Sequence, residues 1–313
     1  AAPAICAGID NDCSGRADEL PAALRTTALG AGDRGLVQEP RVVAGGGWIV
    51  VFADSTAATV DLFATSATSL GDPLGVPVNL TQSTADSVLP AIAWTAAAPS
   101  PLLLAWSEGL GVQTAGVDPA SPPLPPIAAT VLGTLAAPAV ATALSCDPAS
   151  ATALVLWGSS VGDAAYAGVG ADALVRFGPS TIPNSLSAGI DADWAPAAGL
   201  WGIAFSQVDG IHLVRVQVDG TLLPGDRTFP STRARSVRVA WNAIASEFAL
   251  VWLAENATRQ PAIVFARADA AGTPIGSPVE LVAGATRVAT NALGWAFEVV
   301  DQVAAPAGLG IAE

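Results

Sequence analysis

Six short apolar runs recur along the 313-residue chain at nearly constant spacing, and this repeat limits the fold more than any other feature. They are WIVVF (48–52), LLLAW (102–106), ALVLW (153–157), WGIAF (201–205), FALVW (248–252) and WAFEV (295–299). Their last residues, Phe52, Trp106, Trp157, Phe205, Trp252 and Val299, stand 54, 51, 48, 47 and 47 positions apart. Continuous apolar runs of this length suit strands buried on both faces. Each follows a second apolar segment (RVVA, AIAW, AVAT, IDADW, RVAW, RVAT) at a short interval rich in Gly, Pro, Asn or Ala, so each pair reads as a hairpin.

Further strand signals follow around Gly/Pro turns, as in FATSATSLGDPLGVPVNL, LVRVQVDGTLLPGDRTF and VFARADAAGTPIGSPVEL. Three strands, a turn and a fourth strand at this period are the signature of a β-propeller blade. A β-solenoid needs shorter repeats, and a TIM barrel needs helical stretches that the sequence lacks. The expected fold is all-β: a single six-bladed β-propeller of four-stranded antiparallel blades over residues 23–313, preceded by a short acidic Cys/Asp-rich segment, residues 1–22. The sixth repeat starts at TRVATNALGWAFEVVDQ and leaves room for one further strand near GLGIAE, so its fourth strand is missing. ALRTTALG (23–30) has strand character and is placed to supply it. Within one chain this closes the ring without an open edge; between neighbouring chains it makes a head-to-tail polymer.

Charge narrows the partners. The 13 basic and 27 acidic residues leave a net charge of −14 and a pI near 4.2, which repels nucleic acid and anionic membrane. Another copy of the chain, another surface protein or a neutral carbohydrate remains open. No run approaches the ~18 apolar residues of a membrane span, so no membrane insertion is expected. The chain has no Met, and its start is Ala-rich, which reads as an exported protein, extracellular or cell-surface after signal-peptide removal. Cys6 and Cys13, seven apart, are then placed for a small disulfide loop, and Cys146 reads as a free, buried or semi-buried thiol, with an intermolecular bond as the alternative.

The opening segment carries the densest chemistry. In Asp10-Asn11-Asp12-Cys13-Ser14-Gly15-Arg16-Ala17-Asp18-Glu19, side-chain oxygens fall at positions 1, 3 and 5 before a glycine at 6, as in calcium-wrapping loops. Arg16 would offer its carbonyl, and Asp18 or Glu19 would close the shell. Every donor is a hard oxygen, which favours Ca2+. The other reading is a solvated acidic leader tied by one disulfide. CAGIDNDCSGRADE resembles the Asp/Cys metal-binding motif of secreted proteins from some high-GC bacteria, C-x-G-x-D-N-D-C-D-G-x-x-D-E. That resemblance implies a metal site at Asp10, Asp12, Ser14, Asp18 and Glu19 with Cys6 and Cys13 bridged. Ser14 stands where the family has Asp, one fewer negative ligand. The A-W-N…F-x-L-V-W and D-x-x-G-T-P-x-G elements are similar to those of uncharacterised secreted propellers from such bacteria, which implies the fold and no activity.

Catalytic groups are scarce. His212 is the only histidine, no G-x-S-x-G accompanies it, and it reads as a structural strand residue. A two- or three-His zinc site cannot form within one chain. Asp191 and Asp193 in GIDADW share one face of a strand, where they suit a channel ion site, a glycosidase acid–base pair or a structural hydrogen-bonding role. Asp54, Glu108, Asp301 and Glu255 follow the apolar runs and read as an acidic ring or as polar strand ends. Arg227, Arg233, Arg235 and Arg238 gather within twelve residues, a partner-contact patch or a solvated outer strand. The expected function is a non-enzymatic extracellular structural or adhesive subunit, self-assembling head-to-tail through its N-terminal segment into a fibre or surface layer. The alternatives are a carbohydrate-binding or glycoside-cleaving propeller and a generic protein-binding one.

Overall fold

Residues 36–43, 47–55, 59–67, 74–95, 102–117, 129–135, 137, 139–147, 149–159, 161–185, 189–283, 285–290, 297–301 and 309–312 are described by a computed structural model of the chain. They form strands joined by turns, with no helix among them. The segment holding Cys6, Cys13 and the metal-motif residues, and the strand expected at 23–30, lie outside the described residues.

The first sheet comprises β1 (Leu36–Val43), β2 (Gly47–Ser55), β3 (Val60–Ala67) and β4 (Val78–Asn79) in chain order. The second comprises β5 (Ser87–Trp94), β6 (Leu102–Glu108), β7 (Gly111–Val117) and β8 (Thr130–Thr134). The third follows with β9 (Ala139–Asp147), β10 (Thr152–Ser159), β11 (Gly162–Gly170) and β12 (Val175–Thr181). β13 (Ile190–Ala195), β14 (Leu200–Gln207), β15 (Gly210–Gln217) and β16 (Leu222–Pro230) make the fourth. The fifth is β17 (Arg235–Asn242), β18 (Glu247–Glu255), β19 (Pro261–Asp269) and β20 (Val279–Ala283). A last sheet has three strands, β21 (Ala285–Thr290), β22 (Phe297–Asp301) and β23 (Leu309–Ala312). All pairings are antiparallel between chain neighbours, as the hairpin reading expects. The first strands also pack on one another in sequence, β1 on β5, β5 on β9, β9 on β13, β13 on β17 and β17 on β21.

Five of the apolar runs lie in the second strand of a sheet, and their continuity follows from packing on both faces; the sixth is described only at Phe297–Val299, on β22. On β6, Leu102, Leu104 and Trp106 enter the core shared with the first sheet, while Leu103 and Ala105 enter the core shared with the third. On β10, Ala153, Val155 and Trp157 face the second sheet, and Leu154 and Leu156 face the fourth. On β14 the alternation is Trp201, Ile203 and Phe205 against Leu200 and Ala204. A strand that faces solvent on one side alternates polar and apolar residues; these do not, because neither side meets water. The fourth strands are the converse: β12 and β16 are mostly exposed and carry Arg, Asp, Pro and Gly.

Polar side chains pin the links between sheets. Asp61, second residue of β3, accepts from Ser83 N at 2.9 Å and Thr81 Oγ1 at 3.1 Å. Asp163, second residue of β11, accepts from Ser185 N at 3.0 Å. The two spans are both 22 residues, so the repeat extends to the fastening of its connections.

Leu250, fully buried between the fourth and fifth sheets, should cost about 2–5 kcal/mol when cut to Ala. Val208→Ala, at a turn tip that is 95% exposed, should change stability by no more than about 0.5 kcal/mol. Chemical denaturation of the two variants checks both values.

Candidate functional site

Asp191 and Asp193 lie on β13, opposite Ala204 and Gly202 of β14. Their neighbours Ile190, Ala192 and Trp194 point into the core with the third sheet, so strand alternation turns both carboxylates toward the fifth. Asp191 Oδ2 accepts from Val239 N at 2.9 Å, and Asp193 Oδ2 accepts from Trp241 N at 2.7 Å. Val239 and Trp241 belong to β17, a first strand with a sheet partner, β18, on one side only. Its alternate N–H groups on the other side need acceptors. The two carboxylates supply them with charge-assisted bonds and so stitch the fourth sheet to the fifth. The pair foreseen as a channel ion site or acid–base pair thus has one oxygen of each residue engaged by backbone.

His212 lies on β15, is 6% exposed, and stacks on Phe205 with ring centroids 5.4 Å apart. Nε2 is 2.8 Å from Asp209 Oδ1 in the β14–β15 turn, and Nδ1 is 2.7 Å from Asp226 Oδ2 on β16. Ionised carboxylates accept only, so both contacts are satisfied together when both ring nitrogens carry protons, as in the imidazolium. Burial pushes its pKa down, but the bonds to Asp209 and Asp226 and their charge outweigh this, leaving it above the usual 6.5. The bond from His212 holds the Asp209 carboxyl below its usual range. This clamp ties a turn and an outer strand to one sheet, a structural role for the lone histidine.

The remaining acids divide by partner. Glu108 Oε2 accepts from Trp106 Nε1 and from Ser87 Oγ, both at 3.2 Å. Glu255 pairs with Arg233 at 2.7 Å. Asp54 is buried at the end of β2, and Asp301 ends β22. The four arginines are distributed over two sheets: Arg227 on outer strand β16, Arg233 in the connection, and Arg235 and Arg238 on first strand β17. Arg235 is exposed, whereas Arg238 is half-buried with Nη1 on the Val237 carbonyl at 3.3 Å. Cys146 is a free, half-buried thiol on β9, pushed up to about 12 by burial and then by Asp147, hence protonated and unreactive at neutral pH. Among the described residues no three His, Cys, Asp or Glu side chains gather around one metal position.

Asp209 and Asp226 were not singled out in the sequence. The only signal is a carboxylate three residues before and another fourteen after a single histidine, which means nothing until the strands are in register. Arg215, on β15, was likewise missed.

No family model and no curated protein matches the sequence. Solved structures do match in fold. The Dos1 propeller shares 11% identity with a TM-score of 0.57, over 84% of this chain and 64% of that one. A candidate 6-phosphogluconolactonase from Bacteroides fragilis NCTC 9343 shares 13% with a TM-score of 0.52, over 76% and 69%. TolB from Acinetobacter baumannii shares 13% with a TM-score of 0.47, over 80% and 56%. Two α-L-arabinofuranosidases, of the GH43 and GH62 types, also match, with TM-scores of 0.42 and 0.46. The chain spans less than two thirds of the length of the TolB and Dos1 structures. At these identities the likeness is one of fold: an all-β chain of antiparallel four-stranded sheets resembling a propeller.

Two outcomes follow from the polar contacts. Replacing Asp191 and Asp193 by Ala strands two N–H groups and should cost about 1–3 kcal/mol for each, while Asn, which keeps an acceptor oxygen, should restore much of it; denaturant midpoints decide. The His212 clamp should be intact from about pH 4 to about pH 6.5. Because the folded His212 pKa is raised, its contribution is complete below the unfolded value and is lost as pH rises through the folded one. The lowered Asp209 value makes its contribution fade as pH falls through it. The melting temperature should therefore decline on the alkaline side by on the order of 2 °C, and His212→Asn should remove that slope.

Proposed function

We propose that this chain is a non-enzymatic, extracellular structural or adhesive subunit built as a six-bladed β-propeller. One observation carries the reading: the last sheet has three strands among the described residues, where each of the other five has four. An edge strand such as β23, with no further partner among the described residues, offers a row of backbone donors and acceptors, the natural docking place for an extended segment. Residues 23–30 take that place, from the same chain to close the ring or from a neighbour to extend a polymer. The acidic segment ahead of them acts as the clasp, stapled by Cys6–Cys13 and organised by Ca2+ held on Asp10, Asp12, Ser14, the Arg16 carbonyl, Asp18 and Glu19. Use of Asp191, Asp193, His212, Glu108 and Glu255 in holding sheets and strand ends together supports a role without catalysis.

Deleting residues 1–30 and measuring particle mass by light scattering tests the proposal. Expected is loss of assembly, or a less stable monomer if the strand is donated within the chain, with chelation of Ca2+ moving the full chain the same way. Unchanged mass and unchanged stability would count against it. A glycan array with the full chain tests the carbohydrate reading, since saturable binding or hydrolysis there would replace the structural role.

A further inference from the structure

Arg215 and Arg227 occupy the junction between the fourth and fifth sheets. Arg227 is opposite Leu213 on the β15–β16 ladder, and Arg215 is opposite Leu223, with a register shift between. Leu213 belongs to the core shared by these two sheets and Leu223 packs against it, so both arginines rise on the side facing the fifth sheet. The shift loops out Pro224, Gly225 and Asp226. A Cβ on Gly225 would lie 3.6 Å from Arg215 Nη2 and 3.9 Å from Arg227 Nη2, so these two nitrogens are no more than about 7.5 Å apart. The opposite wall is Gly272, in the turn between β19 and β20, where a Cβ would lie 3.5 Å from Arg215 Nε and 3.4 Å from Arg227 Cγ. Both glycines have positive φ, +95° and +79°, and the missing side chains keep the notch open.

Neither arginine has an ion pair among the described residues, in a chain with twice as many acids as bases. The carboxylates alongside are turned elsewhere: Asp226 onto His212, and Asp269 Oδ1 onto Thr273 N at 2.7 Å. Arg215 is held in place, its Nη2 donating to the Pro224 carbonyl at 3.0 Å and its Nε buried without a partner among the described residues. Arg227 is exposed. Two like charges placed together, one of them fixed, are stable when an anion bridges them. We infer that Arg215 and Arg227, walled by Gly225 and Gly272, form a binding site for a tetrahedral oxyanion of the phosphate or sulfate type, free or as a monoester. An oxyanion taking one charge-assisted bond of about 2.8 Å from each guanidinium spans the gap, and its remaining oxygens face solvent, where an ester group has room.

The test is calorimetric titration of the full chain at low ionic strength with inorganic phosphate, inorganic sulfate and phenyl phosphate. Expected is saturable binding that weakens as chloride is raised, and at least a fivefold loss in Arg227→Gln, whose exposed position spares the fold. Arg235→Gln, another exposed arginine outside the notch, should change the affinity less than twofold. Tighter binding of phenyl phosphate than of inorganic phosphate assigns the site to monoesters, and the reverse assigns it to the free ion. Absence of saturation with all three probes, or equal loss in Arg227→Gln and Arg235→Gln, overturns the site.

Discussion

The second strand of each of the first five sheets, buried on both faces, is the constraint on which the rest depends. A strand such as FALVW has nowhere to put a polar residue, because Phe248, Leu250 and Trp252 fill one inter-sheet core. Ala249 and Val251 fall on the opposite face and are fully buried as well. No sheet can keep such a strand dry alone. Each needs a neighbour on either side, which forces successive sheets to stack and brings their first strands together. Much of the stability therefore lives between sheets, in four apolar clusters that each draw on two consecutive ones.

Stacking creates a second problem, and the polar residues are its solution. First strands have one side without a sheet partner, and connections must be fastened where chains leave a sheet. Asp191 and Asp193 serve the N–H groups of β17, Thr142 Oγ1 donates to the Leu89 carbonyl of β5, and Asp61 and Asp163 hold the links to the next sheets. Groups that in another context would be acids, bases or ligands are occupied as fasteners. The Arg215–Arg227 notch is the exception, two charges brought together by a bulge and a turn with no fastening duty between them.

The apolar runs were legible because two-sided burial writes itself into five consecutive residues, and the hairpins were legible because their turns are short. WAFEV overlaps β22 at Phe297–Val299, and its first two residues lie outside the described residues. The polar contacts were not legible. Asp191 and Val239 are 48 residues apart, and nothing local distinguishes a carboxylate that caps a strand from one that binds an ion. His212 found one partner within its turn and the other across a strand pair. The four arginines clustered in sequence separate between an outer strand and a first strand, while Arg215, which meets Arg227, sits twelve residues away from it. Spacing along the chain speaks to the repeat; which polar groups meet depends on register.

The central functional claim is that the last sheet receives its fourth strand from residues 23–30. An experimental density map of the native material around Leu309–Ala312 tests it most directly. The account expects a strand hydrogen-bonded to β23 whose side chains fit ALRTTALG, from the same chain or a neighbour. A solvated β23 edge, with residues 23–30 packed elsewhere, would contradict it.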